Sequence, residues 1–583
     1  MNTTPETLEG YKLALVSLAA FAPFVLSFIS SLKGKGPTNV SDFFLFERNL
    51  DTGSYATGSV GYSMQVASIY LFLYWFSLYG WLSLIVPIAW FGGYLIQAYM
   101  VKKGKLDGFL SQDANAGTIH GYIVPEKSGL GRVAVCLLAV ASLVGFAGTM
   151  LAEIDYALAY FVLPGMELSI TDFSAKMVLY MVVLTTAGAY IMWGGYRAAI
   201  ETDTFQVKWA FALFAAIIVA IGWVAVTKGT WVSPASCGFG LLAFSILAIW
   251  LRKRLKRLDL NYQTLNADRV MFAIIGILGG ILLIGAISHR NSGVPTSSFA
   301  DYLHPTQSFG WLGILSLFAT NALWQFIDVS SLQRLQSLNF VLKKSEAKAD
   351  LEANQHVRDR VFRGIISAGV EGTGSWFMVI ALALVISACN IDPNKPHEAI
   401  GNVLPMWLCM PAFLYVVVAF MLSTLDTLVA ASAFVIFHDI IPESRTNSSI
   451  PEERRMSAAR RYTLAGIIVT GCVYVALKLI TQSDETKQSQ LVYAIYAIQA
   501  AICGPVIFAI IGKPLRPLGS ILATILGASV ALVIAAGWNA PEATWPYWLQ
   551  ESWYVLPPFA SLAVSGMTAL IFSLTARSER KRT

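Results

Sequence analysis

Five consecutive residues, Ser423-Thr424-Leu425-Asp426-Thr427, place three hydroxyls and a carboxylate inside an otherwise apolar stretch running from about Pro405 to Phe437. Such groups are costly at membrane depth, so they need a partner. Oxygen-only ligands suit a small hard cation, and residues three and four apart share a helix face. The alternative is that the hydroxyls bond back to carbonyls one turn earlier, as membrane Ser and Thr do. Asp426 in the same turn favours the ion site.

Three other places break the apolar pattern. In Gly194-Gly195-Tyr196-Arg197-Ala198-Ala199-Ile200-Glu201-Thr202-Asp203-Thr204-Phe205-Gln206 a glycine pair permits a tight turn, and Asp203 is expected in the first turns of the next helix. There it would either serve a site or meet the helix dipole. The segment Thr57 to Trp81 carries Gly58, Gly61, Ser63, Gln65, Ser68 and Tyr70. Small and polar residues in mid-span fit an interrupted helix whose freed carbonyls coordinate an ion, or a kinked helix with small packing residues. Glu153, Asp155 and the run Trp324-Gln325-Phe326-Ile327-Asp328 supply the remaining intramembrane polar groups. They are candidates for binding a solute amine or relaying a proton. Glu153 and Asp155 fall on different helix faces, and Asp328 lies near enough to Arg334 to join the charges of the inner surface.

The elements holding these residues must be membrane helices. The 583-residue chain is 56% hydrophobic and 13% charged, about half the charged share of a soluble domain. Apolar runs give fifteen spans: 11–32, 53–79, 81–101, 131–163, 176–194, 202–226, 236–251, 270–288, 309–333, 364–389, 403–438, 462–482, 489–512, 517–537 and 553–576. With the N-terminus outside, inner segments hold 33 Lys and Arg and outer loops four, so the expected topology is N-out and C-in. A net charge of +6 held in short loops is not a nucleic-acid signal. Six scattered cysteines without a CxxC pair imply neither a disulfide framework nor a metal cluster. The first apolar run follows Glu6 and Glu9 and is not expected to be a cleavable signal. No nucleophile–base pair marks an enzyme. The helix-prone stretch Gln336 to Arg363 is expected to be a solvated cytoplasmic helix, and Trp538, Trp545, Trp548 and Trp553 an outer aromatic belt.

In order, the pieces resemble the sodium:solute symporter family of sodium/proline, sodium/sugar and sodium/sialic acid transporters. GGYRAAIETDTFQ is similar to the family's GG-x-x-A-V-x-W-T-D-x-x-Q signature, and STLDTLVAASAFVIFHDI to its S-[ST]-L-x-S-x-L-x-x-x-[ST] helix. QFIDVSSLQR resembles the segment ending in Q-R after the sixth core helix, and GPVIFAIIGKPLRPLGSILATILGA the Gly/Pro segment and the helix after it. The resemblance covers most of 10–540 and implies an all-α polytopic membrane protein with a leucine-transporter-like five-plus-five inverted repeat.

Its implied organisation is an extra helix in 1–35, a first repeat in 36–226, an inserted hairpin in 227–295, a second repeat in 296–515, and C-terminal helices with a basic tail in 516–583. The main sodium site would combine the carbonyls of Met64, Ala67 and Phe420 with the hydroxyls of Ser423 and Thr424. A second cation or proton site would use Asp203, Asp426 and Thr427. Gln65, Ser68, Glu153, Asp155, Trp324, Gln325, Asp328 and Gln499 are the candidate solute contacts. Glu201 stands where the family has Trp, Ile69 where Gly is common, and Asp426 where a small hydroxyl residue is usual.

The expected function is import of a small polar organic solute, an amino acid or related compound, coupled to sodium across a plasma (inner) membrane. No other cofactor, nucleic acid or obligate protein partner is implied. The alternatives are a proton-coupled symporter and a solute sensor acting on a separate partner.

Overall fold

The computed structural model describes residues 10–33, 36–111, 117–125, 129–166, 168, 173–227, 310–342, 348–388, 396–404, 406–441, 449–481, 495, 497–536 and 556–580. The expected hairpin spans 236–251 and 270–288 lie outside them, as do the four tryptophans of the proposed aromatic belt. Among the described residues the chain is helical, with one isolated parallel bridge between Leu50 and Leu338.

The first half runs through α1 (Gly10–Lys33), α2 (Val40–Leu45), α3 (Thr52–Ser63), α4 (Val66–Tyr79), α5 (Ile85–Lys102), α6 (Asp107–Leu110), α7 (Ile119–Ile123), α8 (Gly129–Tyr156), α9 (Leu163–Gly165) and α10 (Phe173–Thr227). The second half has α11 (Gly310–Ile327), α12 (Val329–Gln336), α13 (Lys348–Ala388), α14 (Pro396–Val403), α15 (Met406–Val435) and α16 (Glu452–Thr481). It ends with α17 (Cys503–Ile510), α18 (Pro517–Ala536) and α19 (Leu556–Arg580). Seven described helices are long and apolar enough to cross a membrane, and the α11–α12 pair, bent by 44°, makes an eighth.

Three interruptions shape the interior. The run expected as span 53–79 divides into α3 and α4 at Met64, whose ψ of 55° ends the first helix. The span expected at 309–333 divides at Asp328, whose ψ of 107° is extended. The runs 176–194 and 202–226 are the two parts of α10, separate helices that meet at a kink at Gly195, with φ 62° and ψ −157°. Only glycine holds that backbone cheaply, and a Cβ there would lie 2.6 Å from the Phe43 carbonyl. The second part starts just past Gly195, so Asp203, eight residues on, lies beyond its first two turns, where the helix dipole has faded.

Burial places α15 at the centre. Of the most apolar window in Cys409–Ile440, 89% is buried, against 22% for Leu556–Thr575. α15 packs on α10, α1, α3 and α8, while α18 and α19 pack on each other at the margin. The exposed apolar side chains of α18 and α19, such as Val533 and Ile571, suit contact with lipid. The charged stretch before Arg363 continues directly into the apolar part of α13 as one helix. At the ends of the two broken helices, Leu50 N–H donates to Ser337 O at 3.1 Å and Asn339 N–H to Leu50 O at 3.3 Å. The start of α3 and the end of α12 are thereby joined.

Candidate functional site

The first turn of any helix leaves N–H groups without intrahelical acceptors. In α4 these groups meet Glu153 of α8. Val66 N–H donates to Oε2 at 2.7 Å and Ala67 N–H to Oε1 at 3.1 Å, with the carboxylate fully buried. Glu153 therefore caps the break from outside the segment. Ser68 Oγ donates to Gln65 Oε1 at 3.2 Å across the same turn.

On the α3 side of the break, Gly61 lets α15 approach. A Cβ on Gly61 would stand 2.6 Å from Ser423 Oγ and 2.6 Å from Val207 Cγ2. α15 packs against both α3 and α4, and Met64, Ala67, Phe420, Ser423 and Thr424 are all buried. The two hydroxyls behave differently. Thr424 Oγ1 donates back to Phe420 O at 3.3 Å, as in the non-ionic alternative. Ser423 Oγ makes no such bond and lies beside the Asp203 carboxylate without hydrogen-bond geometry.

Asp203 and Asp426 meet in one buried cluster around Arg334, a residue the charge count assigned to the inner surface. Arg334 is 2% exposed. Its Nε donates to the Tyr196 hydroxyl at 3.1 Å and its Nη2 to Thr427 Oγ1 at 2.9 Å, while Nη2 stands 3.9 Å from Asp203 Oδ2. Its guanidinium carbon lies 5.5 Å from the Tyr62 ring centroid, a cation–π contact. Asp426 Oδ2 accepts from Tyr190 at 2.8 Å and from Thr202 at 3.3 Å. Asp426 Oδ1, both Asp203 carboxylate oxygens and Arg334 Nη1 have no hydrogen-bond partner. Two carboxylates and one guanidinium leave a formal charge of minus one when all are ionised. Unsatisfied buried oxygens of that kind call for a cation, a proton or ordered water.

On the α4 side lies a cavity of about 140 Å³. Trp90, Tyr156, Trp324 and Trp376 form aromatic walls, and Gln65, Ser68, Ser316, Thr320 and Asn321 supply polar groups. Among the described residues that line it, none carries a carboxylate, ammonium or guanidinium.

Of the solute contacts expected from sequence, Gln65, Ser68 and Trp324 line this cavity, and the other five do not. Glu153 caps α4. Asp155, on another face of α8, accepts a hydrogen bond from Tyr180. Asp328 caps α12, accepting from the N–H of Ser330 at 3.1 Å and of Ser331 at 3.2 Å and from both serine hydroxyls. It does not join the inner-surface charges. The Gln325 carbonyl accepts from Gln97 at 3.1 Å, and Gln499 packs on Gly145 of α8. The three carboxylates behind the expectation of a solute amine are thus committed elsewhere. Arg334, Trp90, Tyr156, Trp376 and Asn321 were not singled out in advance. Arg334 carried one signal, a guanidinium directly following an apolar run.

Neither protein-family models nor curated protein sequences give a match to this chain. Among solved structures, the chain is similar to a Na+-coupled sialic acid symporter in a substrate-bound, outward-open state described as revealing a novel Na+ site. The TM-score is 0.58 at 12% identity, covering 97% of this chain and 99% of that one. A second similar structure is Mhp1, a nucleobase-cation-symport-1 family transporter, closed with bromovinylhydantoin bound, with TM-score 0.46, 11% identity and coverage of 93% and 97%. The chain has the leucine-transporter-type fold expected from its sequence, with α3–α4 and α11–α12 as the two broken helices.

Proposed function

We propose that this chain is a secondary transporter that moves a small polar solute together with a cation by alternating access. The observation that carries this reading is the arrangement about the α3–α4 break. A solute-sized cavity lies on one side, and a buried acidic cluster with three carboxylate oxygens that accept no hydrogen bond lies on the other. Ser423, Thr424 and the carbonyls of Met64, Ala67 and Phe420 form the main sodium site. Asp203, Asp426 and Thr427 form the second, with Arg334 as resident counter-charge. Sodium at the break favours the state that accepts solute, and solute completes the occluded state before both leave on the inner side. By linkage each tightens the binding of the other.

The repeats at 36–226 and 296–515 together supply a bundle that rocks against a scaffold, in an N-out, C-in orientation in the plasma membrane. The excess of one carboxylate over the single guanidinium also supports a proton as the second coupled cation. Sodium-gradient-driven uptake into proteoliposomes tests the reading, with a pH gradient as the separate arm. Solute binding without net flux under either gradient would replace transport by sensing.

A further inference from the structure

The charge arrangement also bears on what the solute is. In transporters with broken helices, a half-helix N-terminus offers N–H groups and a positive dipole end to an anionic part of the solute. Both such ends among the described residues are already occupied by carboxyl groups of the protein. Val66 and Ala67 donate to Glu153, which is fully buried, and Ser330 and Ser331 donate to Asp328, also fully buried. A solute carboxylate arriving there would find the donors already taken by a carboxyl group of the protein.

The cavity itself offers no substitute. Among the described residues its lining holds neither a guanidinium nor an ammonium for an anion, and no carboxylate for a solute amine. Removing a charged group from water costs several kcal/mol per ion unless a partner replaces the solvent. A zwitterion would incur that cost twice. What the lining does hold is hydrogen-bond capacity: Trp90 Nε1, Trp376 Nε1 and Thr320 Oγ1 are buried without a protein partner. Two of these are donors only, and the third is a hydroxyl. They match carbonyl or hydroxyl oxygens on a molecule whose flatter surface rests on aromatic rings.

We therefore propose that the solute is an uncharged polar molecule bearing hydrogen-bond acceptors, and that Glu153 excludes carboxylates by acting as a built-in one. The proposal rests on the reading above that this cavity is the solute site, not on net transport through it.

The test is thermal melting of the purified full-length chain, with and without sodium. Matched pairs differing in charge serve as probes: galactose and galacturonate, nicotinamide and nicotinate, lactamide and lactate, with proline as a zwitterion. At least one neutral member is expected to raise the melting temperature, with its carboxylate partner needing a concentration at least a hundredfold higher. A carboxylate or proline acting at equal or lower concentration, or a panel in which no neutral compound acts, overturns the proposal.

Glu153→Ala supplies a second readout. Formate should raise the melting temperature of the variant and leave the wild type unchanged; equal stabilisation of both overturns the assignment. Should the variant not be recovered folded, the panel on the wild type decides alone. Melting needs no flux, so a neutral preference without gradient-driven uptake sinks the transport reading and leaves this one standing. A carboxylate driven in by sodium does the reverse.

Discussion

Arg334 Nη2 stands 3.9 Å from Asp203 Oδ2, inside ion-pair range but beyond a hydrogen bond, although both side chains are buried. The guanidinium is held back by Thr427 and Tyr196, which take its Nη2 and Nε protons. Asp203 is left attracted but not saturated, which is how a carboxylate must stand if a mobile cation is to share it.

Removing the guanidinium leaves two buried carboxylates facing each other. Breaking a buried pair in this way costs about 3–5 kcal/mol. Arg334→Gln should lower the melting temperature sharply, and Asp203→Asn in that background should recover part of the loss. An additive double variant would show that the two side chains do not interact.

Asp426 tests the number of coupled charges. Tyr190 and Thr202 occupy one of its oxygens and leave Oδ1 open. Asp426→Asn keeps the acceptor for Tyr190 and removes the charge. Charges moved per solute, read from reversal potentials in proteoliposomes, should fall by one. A ratio equal to that of the wild type would make Asp426 a structural acceptor.

Much of this arrangement was legible in the sequence, and what was not has a common cause. The apolar runs gave the helices, and Gly58, Gly61, Ser63 and Gln65 marked the first break because small and polar residues are local signals. Asp203 and Asp426 were paired only through a family resemblance. The second break was hidden because Asp328 reads as one acid beside an apolar run, whereas its role as a cap depends on Ser330 and Ser331 turning back to it. Glu153 caps residues 86 and 87 positions away, a relationship that no spacing along the chain reveals. Arg334 escaped notice because positive-inside counting locates charges by sequence and cannot see that this side chain packs inside the protein.

Gly61 tests the closeness of α3 to α15. Gly61→Ala places a methyl 2.6 Å from both Ser423 Oγ and Val207 Cγ2, so both side chains must give way. Overpacking of this kind costs roughly 1–3 kcal/mol. The variant should melt lower and need more sodium for half-maximal uptake, because the displaced atoms include a candidate ligand. Lower stability with unchanged sodium dependence would place Ser423 outside the ion site.

The two hydroxyls of α15 separate an ion ligand from a helix back-bond. Ser423 Oγ has no backbone acceptor, so Ser423→Ala removes nothing from the helix itself. A tenfold rise in half-saturating sodium, equivalent to about 1.4 kcal/mol, is expected if it is a ligand. Thr424 already donates its proton to Phe420 O, and its lone pairs stay available to a cation. Thr424→Val removes the oxygen at similar volume and should reproduce the sodium effect, whereas Thr424→Ser keeps the oxygen and should restore near-normal dependence. Wild-type sodium dependence in Thr424→Val would show that this hydroxyl serves the helix alone, leaving Ser423 as the side-chain ligand of the main site.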